Sequence, residues 1–213
     1  MPPDLATLPP ILCLTWDAVP LSAEDQTQRL LEAGARWIQL RLKGASHERW
    51  LEAALACVAL CRAHGALLVV NDSLEIAARS DADGVHLGRT DGDWAEARRR
   101  LGPGKLVGGT VNDHAAAREA LASGALSYVG VGPFRFTSTK ARLAPVMGLD
   151  GVAGLSAAVG TLPAWAIGGL EPQDLPPLRR AGLAGAAVSS GLFRNLQIRD
   201  NFKAYSAAWR SAA

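Results

Sequence analysis

Short apolar runs alternate with longer stretches of helical spacing along the whole 213-residue chain. Short runs rich in β-branched residues predict strands, and apolar residues that recur every three or four positions predict helices. The predicted strands are Ile11–Thr15, Trp37–Arg41, Leu67–Asn71, Gly84–His86, Lys105–Thr110, Ser127–Val131, Ala164–Ile167 and Ala186–Ser189. The predicted helices include Glu24–Ala33, His47–His64, Trp94–Arg100, Ala115–Ser123 and a final one over 192–211. Strands that alternate with helices indicate right-handed crossovers and a parallel sheet.

Eight such repeats predict an α/β fold, a single (β/α)8 or TIM barrel that spans residues 1–213 as one domain. An open doubly wound sheet is the alternative. No G-x-G-x-x-G motif follows the first predicted strand, which argues against a dinucleotide-binding form of that sheet.

Composition excludes several classes of function. A formal net charge of +2 provides no basic field for nucleic acid, and no apolar run approaches the length of a membrane span. We see no signal peptide and expect a soluble, cytoplasmic protein. The three cysteines Cys13, Cys57 and Cys61 lie in apolar runs, which indicates buried thiols in a reducing compartment rather than a metal site.

Polar residues collect where the predicted strands end. In a barrel of this type, the C-terminal ends of the strands and the loops after them carry function. The residues at these ends are Gln39, Arg41 and Lys43; Asn71 and Asp72; His86 and Asp91; Thr110; Thr137, Ser138, Thr139 and Lys140; Gly168 and Gly169; and Ser189 and Ser190. Chance placement would scatter such groups over both ends, so their convergence predicts a functional site on one face.

The cations Arg41, Lys43 and Lys140 at this face indicate an anionic ligand. A guanidinium can bind phosphate through two hydrogen bonds, and a lysine supplies a compact positive charge. Lys140 ends the segment Thr137-Ser138-Thr139-Lys140, whose hydroxyls can donate to phosphate oxygens. The alternatives are an ordinary polar loop for this segment and a buried ion pair or solvated edge for Arg41 and Lys43.

The last two loops predict a second phosphate site. The Gly168-Gly169 turn lets a phosphate approach the main chain closely. Ser189 and Ser190 offer hydroxyls and, before a predicted helix, N-terminal amides.

Two carboxylates, Asp72 and Asp91, are the candidate ligands of Mg²⁺, which binds one or two carboxylates together with phosphate oxygens and water. Either aspartate could instead be an N-cap, Asp72 for a helix beginning at Ser73 and Asp91 for one before Trp94. His86 could contact a ligand or only pack at the rim. The pattern indicates a site with two halves, one for a metal-bound diphosphate and one for a phosphate. Departure of diphosphate needs few general acid or general base residues.

Six segments in order closely resemble the thiamine phosphate synthase (thiamine-phosphate pyrophosphorylase) family over residues 11 to 195. The segments are Gln39-Leu40-Arg41-Leu42-Lys43, Asn71-Asp72, Gly84-Val85-His86-Leu87-Gly88 with Asp91, Thr137-Ser138-Thr139-Lys140, Ile167-Gly168-Gly169 and Ala187-Val188-Ser189-Ser190. The resemblance implies a barrel transferase that joins a hydroxymethylpyrimidine diphosphate to a thiazole phosphate and releases diphosphate. These two small molecules would be its substrates and Mg²⁺ its cofactor.

The resemblance also implies a role for each matching residue. Gln39, Arg41, Lys43, Asn71 and Lys140 would hold the pyrimidine diphosphate, with Asp72 and Asp91 on Mg²⁺. The catalytic residues among these and their neighbours would be Arg41, Lys43, Asn71, Thr110 and Lys140. Thr137, Thr139, Gly168, Gly169, Ser189 and Ser190 would hold the thiazole phosphate. Leu40, Leu42, His86, Ser138 and Thr110 are expected to contact substrate as well, Thr110 standing where a serine is usual.

Some positions depart from the family pattern. Arg135-Phe136 replaces an aromatic-Pro pair, so that Arg135 could be an added phosphate ligand or could project into solvent. The related thiazole tautomerase, an isomerase, uses a histidine after strand five, where this chain has Asn112 with His114 offset. That enzyme and a non-catalytic phosphometabolite sensor are the alternative functions. Phe202 and Trp209 on the last helix could cover the barrel or form the interface of a homo-oligomer.

Overall fold

The computed structural model describes residues 8–136 and 145–211. Eight parallel strands form a closed barrel in chain order, and β1 pairs with β8 to close it. The strands are β1 Ile11–Leu14, β2 Trp37–Leu40, β3 Leu67–Asn71, β4 Gly84–Leu87, β5 Leu106–Val111, β6 Tyr128–Val131, β7 Ala164–Ile167 and β8 Gly185–Val188. The predicted fold is confirmed, and each predicted strand is confirmed to within one residue at either end.

Helices follow the strands and surround the barrel. They are α1 Ala23–Glu32, α2 His47–Ala63, α3 Leu74–Arg79, α4 Trp94–Leu101, α5 His114–Ser123, α6 Gly148–Ala158, α7 Leu175–Arg180 and α8 Ile198–Arg210, with 3-10 segments at Pro172–Asp174 and Ser190–Leu196. The predicted start of the final helix at 192 is wrong. Asn195 and Leu196 have φ values of 51° and 56°, and such left-handed residues cannot continue a right-handed helix.

Side-chain caps begin the first five helices. In each, a serine hydroxyl or aspartate carboxylate accepts a hydrogen bond from the backbone N–H three residues further along the chain. The capping residues are Ser22, Ser46, Ser73, Asp93 and Asp113. Ser73 and Asp93 thus hold the positions that the sequence offered to Asp72 and Asp91, so the N-cap interpretation of those two aspartates is wrong.

Successive strand residues point alternately toward the helices and into the barrel. The inward residues pack around three aromatic rings in edge-to-face contact: Trp37 lies 4.8 Å from Tyr128 and 5.0 Å from Trp165 between ring centroids. This aromatic layer fills the part of the barrel interior nearer the N-terminal ends of the strands. Toward the C-terminal ends of the strands, the inward positions include the polar residues Gln39, Asn71, His86 and Thr110 beside the apolar Leu14 and Ile167, and these line the mouth of the barrel.

The helix-facing core contains Cys13, Cys57 and Cys61, whose thiols are free and buried, as predicted. Phe202 and Trp209 pack in the same core on the inner face of α8, so they cover the barrel. None of the helices within residues 8–136 and 145–211 has the length and apolar character that a membrane crossing requires.

Candidate active site

The predicted polar residues lie together at the C-terminal rim wherever the structure describes them. Gln39, Asn71, His86 and Thr110 belong to the ends of β2, β3, β4 and β5. The remaining members lie in the loops that follow the strands: Arg41, Lys43, Asp72, Asp91, Gly168, Gly169, Ser189 and Ser190. Thr137, Ser138, Thr139 and Lys140 lie outside the described residues.

Asp72 and Asp91 meet at this rim although 18 residues separate them in sequence. Their carboxyl groups are within hydrogen-bonding contact, and Lys43 Nζ donates to Asp72 Oδ2. The Gly88 amide donates to Asp91 Oδ2 at 3.0 Å. Asp72 has a left-handed backbone with φ of 65°, a strained conformation that is typical of functional sites.

Electrostatics distinguish the two carboxyl groups. Burial acts to raise the pKa of Asp72, but hydrogen bonds with Lys43 and Asp91 outweigh it, so the pKa of Asp72 is lowered. Burial and the adjacent Asp72 together raise the pKa of Asp91. The carboxyl groups of Asp72 and Asp91 thus share the single ammonium group of Lys43. The negative charge that this ammonium leaves uncompensated is one that a divalent cation would neutralise.

The donor set fits Mg²⁺. Among residues 8–136 and 145–211, no three His, Cys, Asp or Glu side chains are placed together to hold a metal ion. Mg²⁺ is rarely enclosed by protein alone and usually keeps water and substrate phosphate among its ligands. Two hard carboxylate groups at an open rim match that preference.

Asp17 is a residue that the sequence analysis missed. Its carboxylate accepts from Arg41 Nη1 at 2.7 Å and from the Lys43 amide at 3.2 Å. Thr15 Oγ1 bonds to both the N–H and the C=O of Arg41, at 2.8 Å each. The ion pair considered as an alternative for Arg41 therefore forms, and it orients the segment that carries both cations. A lone Asp after the first strand carried no motif that would have revealed this role.

A hydrogen-bonded chain runs from inside the barrel to the rim. The Tyr128 hydroxyl hydrogen bonds with Gln39 and lies 3.2 Å from His86 Nδ1, while His86 Nε2 lies 3.0 Å from Thr110 Oγ1. Gly108 makes room for this chain, since a Cβ there would lie 2.3 Å from Tyr128 Cζ and 2.6 Å from His86 Nδ1. Tyr128 was not predicted as a site residue because its sequence context is that of an ordinary strand.

The side chains of Leu40 and Leu42, on the segment that carries Arg41, point toward the helices and not into the mouth of the barrel. Leu40 is fully buried in the helix-facing core, and Leu42 packs partly against that core. A substrate at the rim would therefore meet the main chain of this segment rather than these two side chains.

The predicted site for a second phosphate consists of a glycine turn and a serine pair. Gly168 and Gly169 have φ values of 104° and 64°, which favour glycine, and a Cβ on Gly168 would lie 2.8 Å from Pro133 Cα. Ser189 Oγ is buried and has no hydrogen-bond partner among the described residues. Ser190 begins a short 3-10 segment rather than the predicted helix.

A cleft of about 910 Å³ opens on the same face, between the loops after β4 and β5 and helix α6. Asn112 and His114 line it together with Arg89 and Met147. Arg89 pairs with Asp113 and Glu119 at 3.3 and 3.1 Å. The residues at issue for the tautomerase alternative thus border this cleft, beside the loop that carries Asp91.

Comparison with known proteins agrees with this geometry. Residues 13–192 match the sequence model of the family described as thiamine monophosphate synthase. The thiamine-phosphate synthase of Bacteroides fragilis is 40% identical over 174 residues, which cover 80% of this chain and 85% of that protein. The one from Laribacter hongkongensis is 43% identical over 166 residues, covering 78% of this chain and 77% of that protein.

A solved structure has the same fold over nearly the whole chain. The thiamine phosphate pyrophosphorylase from Pyrococcus furiosus superposes with a TM-score of 0.87 at 27% sequence identity, covering 98% of this chain and 99% of that one. The sequence matches and the structural match thus agree on the same family over nearly the whole barrel. The chain belongs to the thiamine monophosphate synthase family.

Proposed function

We propose that this transferase condenses a hydroxymethylpyrimidine diphosphate with a thiazole phosphate to form thiamine phosphate and diphosphate in a Mg²⁺-dependent reaction, which also releases CO₂ when the thiazole is carboxylated. Its family, whose members are diphosphate-releasing transferases of thiamine biosynthesis, supports the reaction class. The observation that carries the proposal is the contact of Asp72 with Asp91 beside Lys43, on the rim that also holds the Gly168-Gly169 turn.

The metal half would receive the diphosphate. Asp72 and Asp91 would hold Mg²⁺, which when bound would neutralise charge on the diphosphate and stabilise it as a leaving group. Arg41, oriented by Asp17, and Lys43 would bind diphosphate oxygens. Gln39 and Asn71, at the ends of adjacent strands, would orient the pyrimidine ring by hydrogen bonds.

With the thiazole phosphate that carries no carboxylate, the reaction needs one bond broken and one formed. The methylene carbon–oxygen bond of the pyrimidine diphosphate breaks, and the electron pair leaves with diphosphate. The thiazole nitrogen supplies its lone pair to the resulting cation and becomes a thiazolium. No proton is removed in these steps, so the site has no need of a general base, and positioned charges provide the catalysis.

The other half would hold the thiazole phosphate. A buried Ser189 hydroxyl without a partner among the described residues is costly unless a ligand satisfies it, and a phosphate oxygen would do so. The glycine turn gives main-chain access beside it. Thr137, Thr139 and Lys140 complete the proposal from sequence alone, with Lys140 on the diphosphate.

The test is to mix purified protein with both substrates and Mg²⁺ and to measure thiamine phosphate and diphosphate. We expect equal amounts of the two products, lost on chelation of the metal, and a reduced rate for Lys140→Ala. Folded protein that forms neither product would overturn the proposal. Isomerisation of a thiazole carboxylate would then identify the tautomerase, and binding of both substrates without turnover would identify the sensor.

A further inference from the structure

The Arg135 guanidinium binds the loop that follows β7. Its Nη1 and Nη2 each lie 3.0 Å from one oxygen of the Asp174 carboxylate, and Nη1 also donates to the Gly169 carbonyl at 2.6 Å. Such two-pronged, charge-assisted contacts are among the stronger hydrogen bonds in proteins. Arg135 is therefore paired within the protein, although its side chain stays 46% exposed to solvent.

The main chain joins the same two segments. The Phe134 amide donates to the Ile167 carbonyl at 2.8 Å, and the Arg135 amide donates to the Gly168 carbonyl at 2.9 Å. The Asp174 carboxylate also accepts from the Glu171 amide at 2.8 Å. One carboxylate thus fastens its own loop internally and to Arg135, across 39 residues of sequence.

These contacts restrict a turn that would otherwise be mobile. Two consecutive glycines with positive φ lose much conformational entropy when they are ordered. Arg135 holds the Gly169 carbonyl, and the Tyr205 hydroxyl donates to the next carbonyl, that of Leu170, at 2.7 Å. With both carbonyl oxygens engaged by protein donors, neither is available to face and repel a phosphate.

We propose that Arg135 and Asp174 form a latch that holds the Gly168-Gly169 turn in its phosphate-binding conformation, which makes both positioning residues for the thiazole phosphate. This inference rests on the proposed function, which places the thiazole phosphate at that turn. The latch acts on one substrate only, because the metal half of the rim lies on β2, β3 and β4 and shares no contact with it among those described.

Kinetics with each substrate varied separately test the latch. Arg135→Met removes the positive charge and the paired hydrogen bonds of the guanidinium. Arg135→Lys keeps the positive charge without the paired hydrogen bonds, and Asp174→Asn removes the negative charge of the carboxylate. Arg194→Met is the matched control, because Arg194 pairs with Glu171 of the same loop at 2.6 Å but has no described contact with the Gly168-Gly169 turn.

We expect Arg135→Met and Asp174→Asn to raise KM for the thiazole phosphate about tenfold, the size of one lost hydrogen bond to a charged group. KM for the pyrimidine diphosphate and kcat at saturation should stay within about twofold of the wild-type values. The double variant should raise KM for the thiazole phosphate no further than either single variant. Arg135→Lys should restore little of the lost affinity, because an ammonium lacks the planar guanidinium group that makes two parallel hydrogen bonds. An unchanged KM for the thiazole phosphate, or an equal rise in Arg194→Met, would overturn the latch.

Hydrogen exchange separates failure of the latch from failure of the proposed function. The amides of residue 135 and Glu171 should exchange at least about tenfold faster in Arg135→Met than in wild type, with Arg194→Met unchanged at residue 135, because local opening controls exchange. This result stands even if the wild-type protein makes no thiamine phosphate. Unchanged exchange at both amides would show that the turn does not depend on Arg135.

Discussion

His86 Nε2 lies 3.0 Å from Thr110 Oγ1, on the neighbouring strand of the barrel. The other ring nitrogen faces the Tyr128 hydroxyl at 3.2 Å, and burial raises the pKa of that phenol so that it remains neutral. The His86 ring therefore bridges the Thr110 and Tyr128 hydroxyls, with one ring nitrogen at each.

Thr110→Ser should keep kcat/KM within about twofold, because the hydroxyl that meets His86 is retained. Thr110→Val, which is close in shape but lacks the hydroxyl, should lose about tenfold, the size of one missing hydrogen bond. Steady-state kinetics of thiamine phosphate formation measure both. Full activity in the valine variant would remove Thr110 from the site.

Asp72→Asn and Asp91→Asn should each lower Mg²⁺-dependent turnover at least about a hundredfold, because a neutral amide is a poor ligand for a hard cation. Asparagine tolerates the left-handed backbone at residue 72, so the fold should survive, as circular dichroism would show. Asp93→Asn is the control: it changes a charge two residues from Asp91 but caps α4 equally well. Near-normal activity in both site variants would refute the metal assignment.

Gly108→Ala should destabilise the barrel by about 1–3 kcal/mol, because the new methyl group would overlap the Tyr128 ring and force the His86 chain to shift. Gly104→Ala is matched to it, since a Cβ there meets no atom within 4 Å. Urea denaturation of both variants gives the free energies of unfolding. Equal stabilities would mean that the interior is looser than the packing indicates.

Stability should fall as pH rises above about 8.5, where thiols of an unfolded chain lose their protons. Burial raises the pKa of Cys57 to about 11 and of Cys61 to about 12, so above that pH the folded protein binds more protons than the unfolded chain. The free energy of unfolding should drop by up to about 1.4 kcal/mol per pH unit for each thiol.

Urea titrations between pH 7 and pH 10 measure this slope. The double variant Cys57→Ala, Cys61→Ala should be less stable at neutral pH, through lost packing, but should show a shallower decline. A wild-type protein whose stability stays level to pH 10 would contradict the burial of the thiols.

Strand positions and their polar ends could be predicted because both follow from local pattern. A run such as Leu67–Asn71 is apolar until it reaches the rim, and parallel strands bring all such ends to one face. Local pattern was ambiguous where two roles share one residue type. Asp72 and Asp91 could have been helix caps, and only the positions of Ser73 and Asp93 in the folded chain excluded that role.

The sequence by itself determined the alternation of strands and helices and the residue types that collect at the rim, because period and residue type are properties of neighbouring positions. Tertiary structure alone decided which side chains support that rim. Asp17 meets Arg41, Tyr128 meets His86, and Arg135 meets Asp174 across 24, 42 and 39 residues. Such pairings depend on strand register and on the closing of the barrel between β1 and β8, which no local pattern encodes.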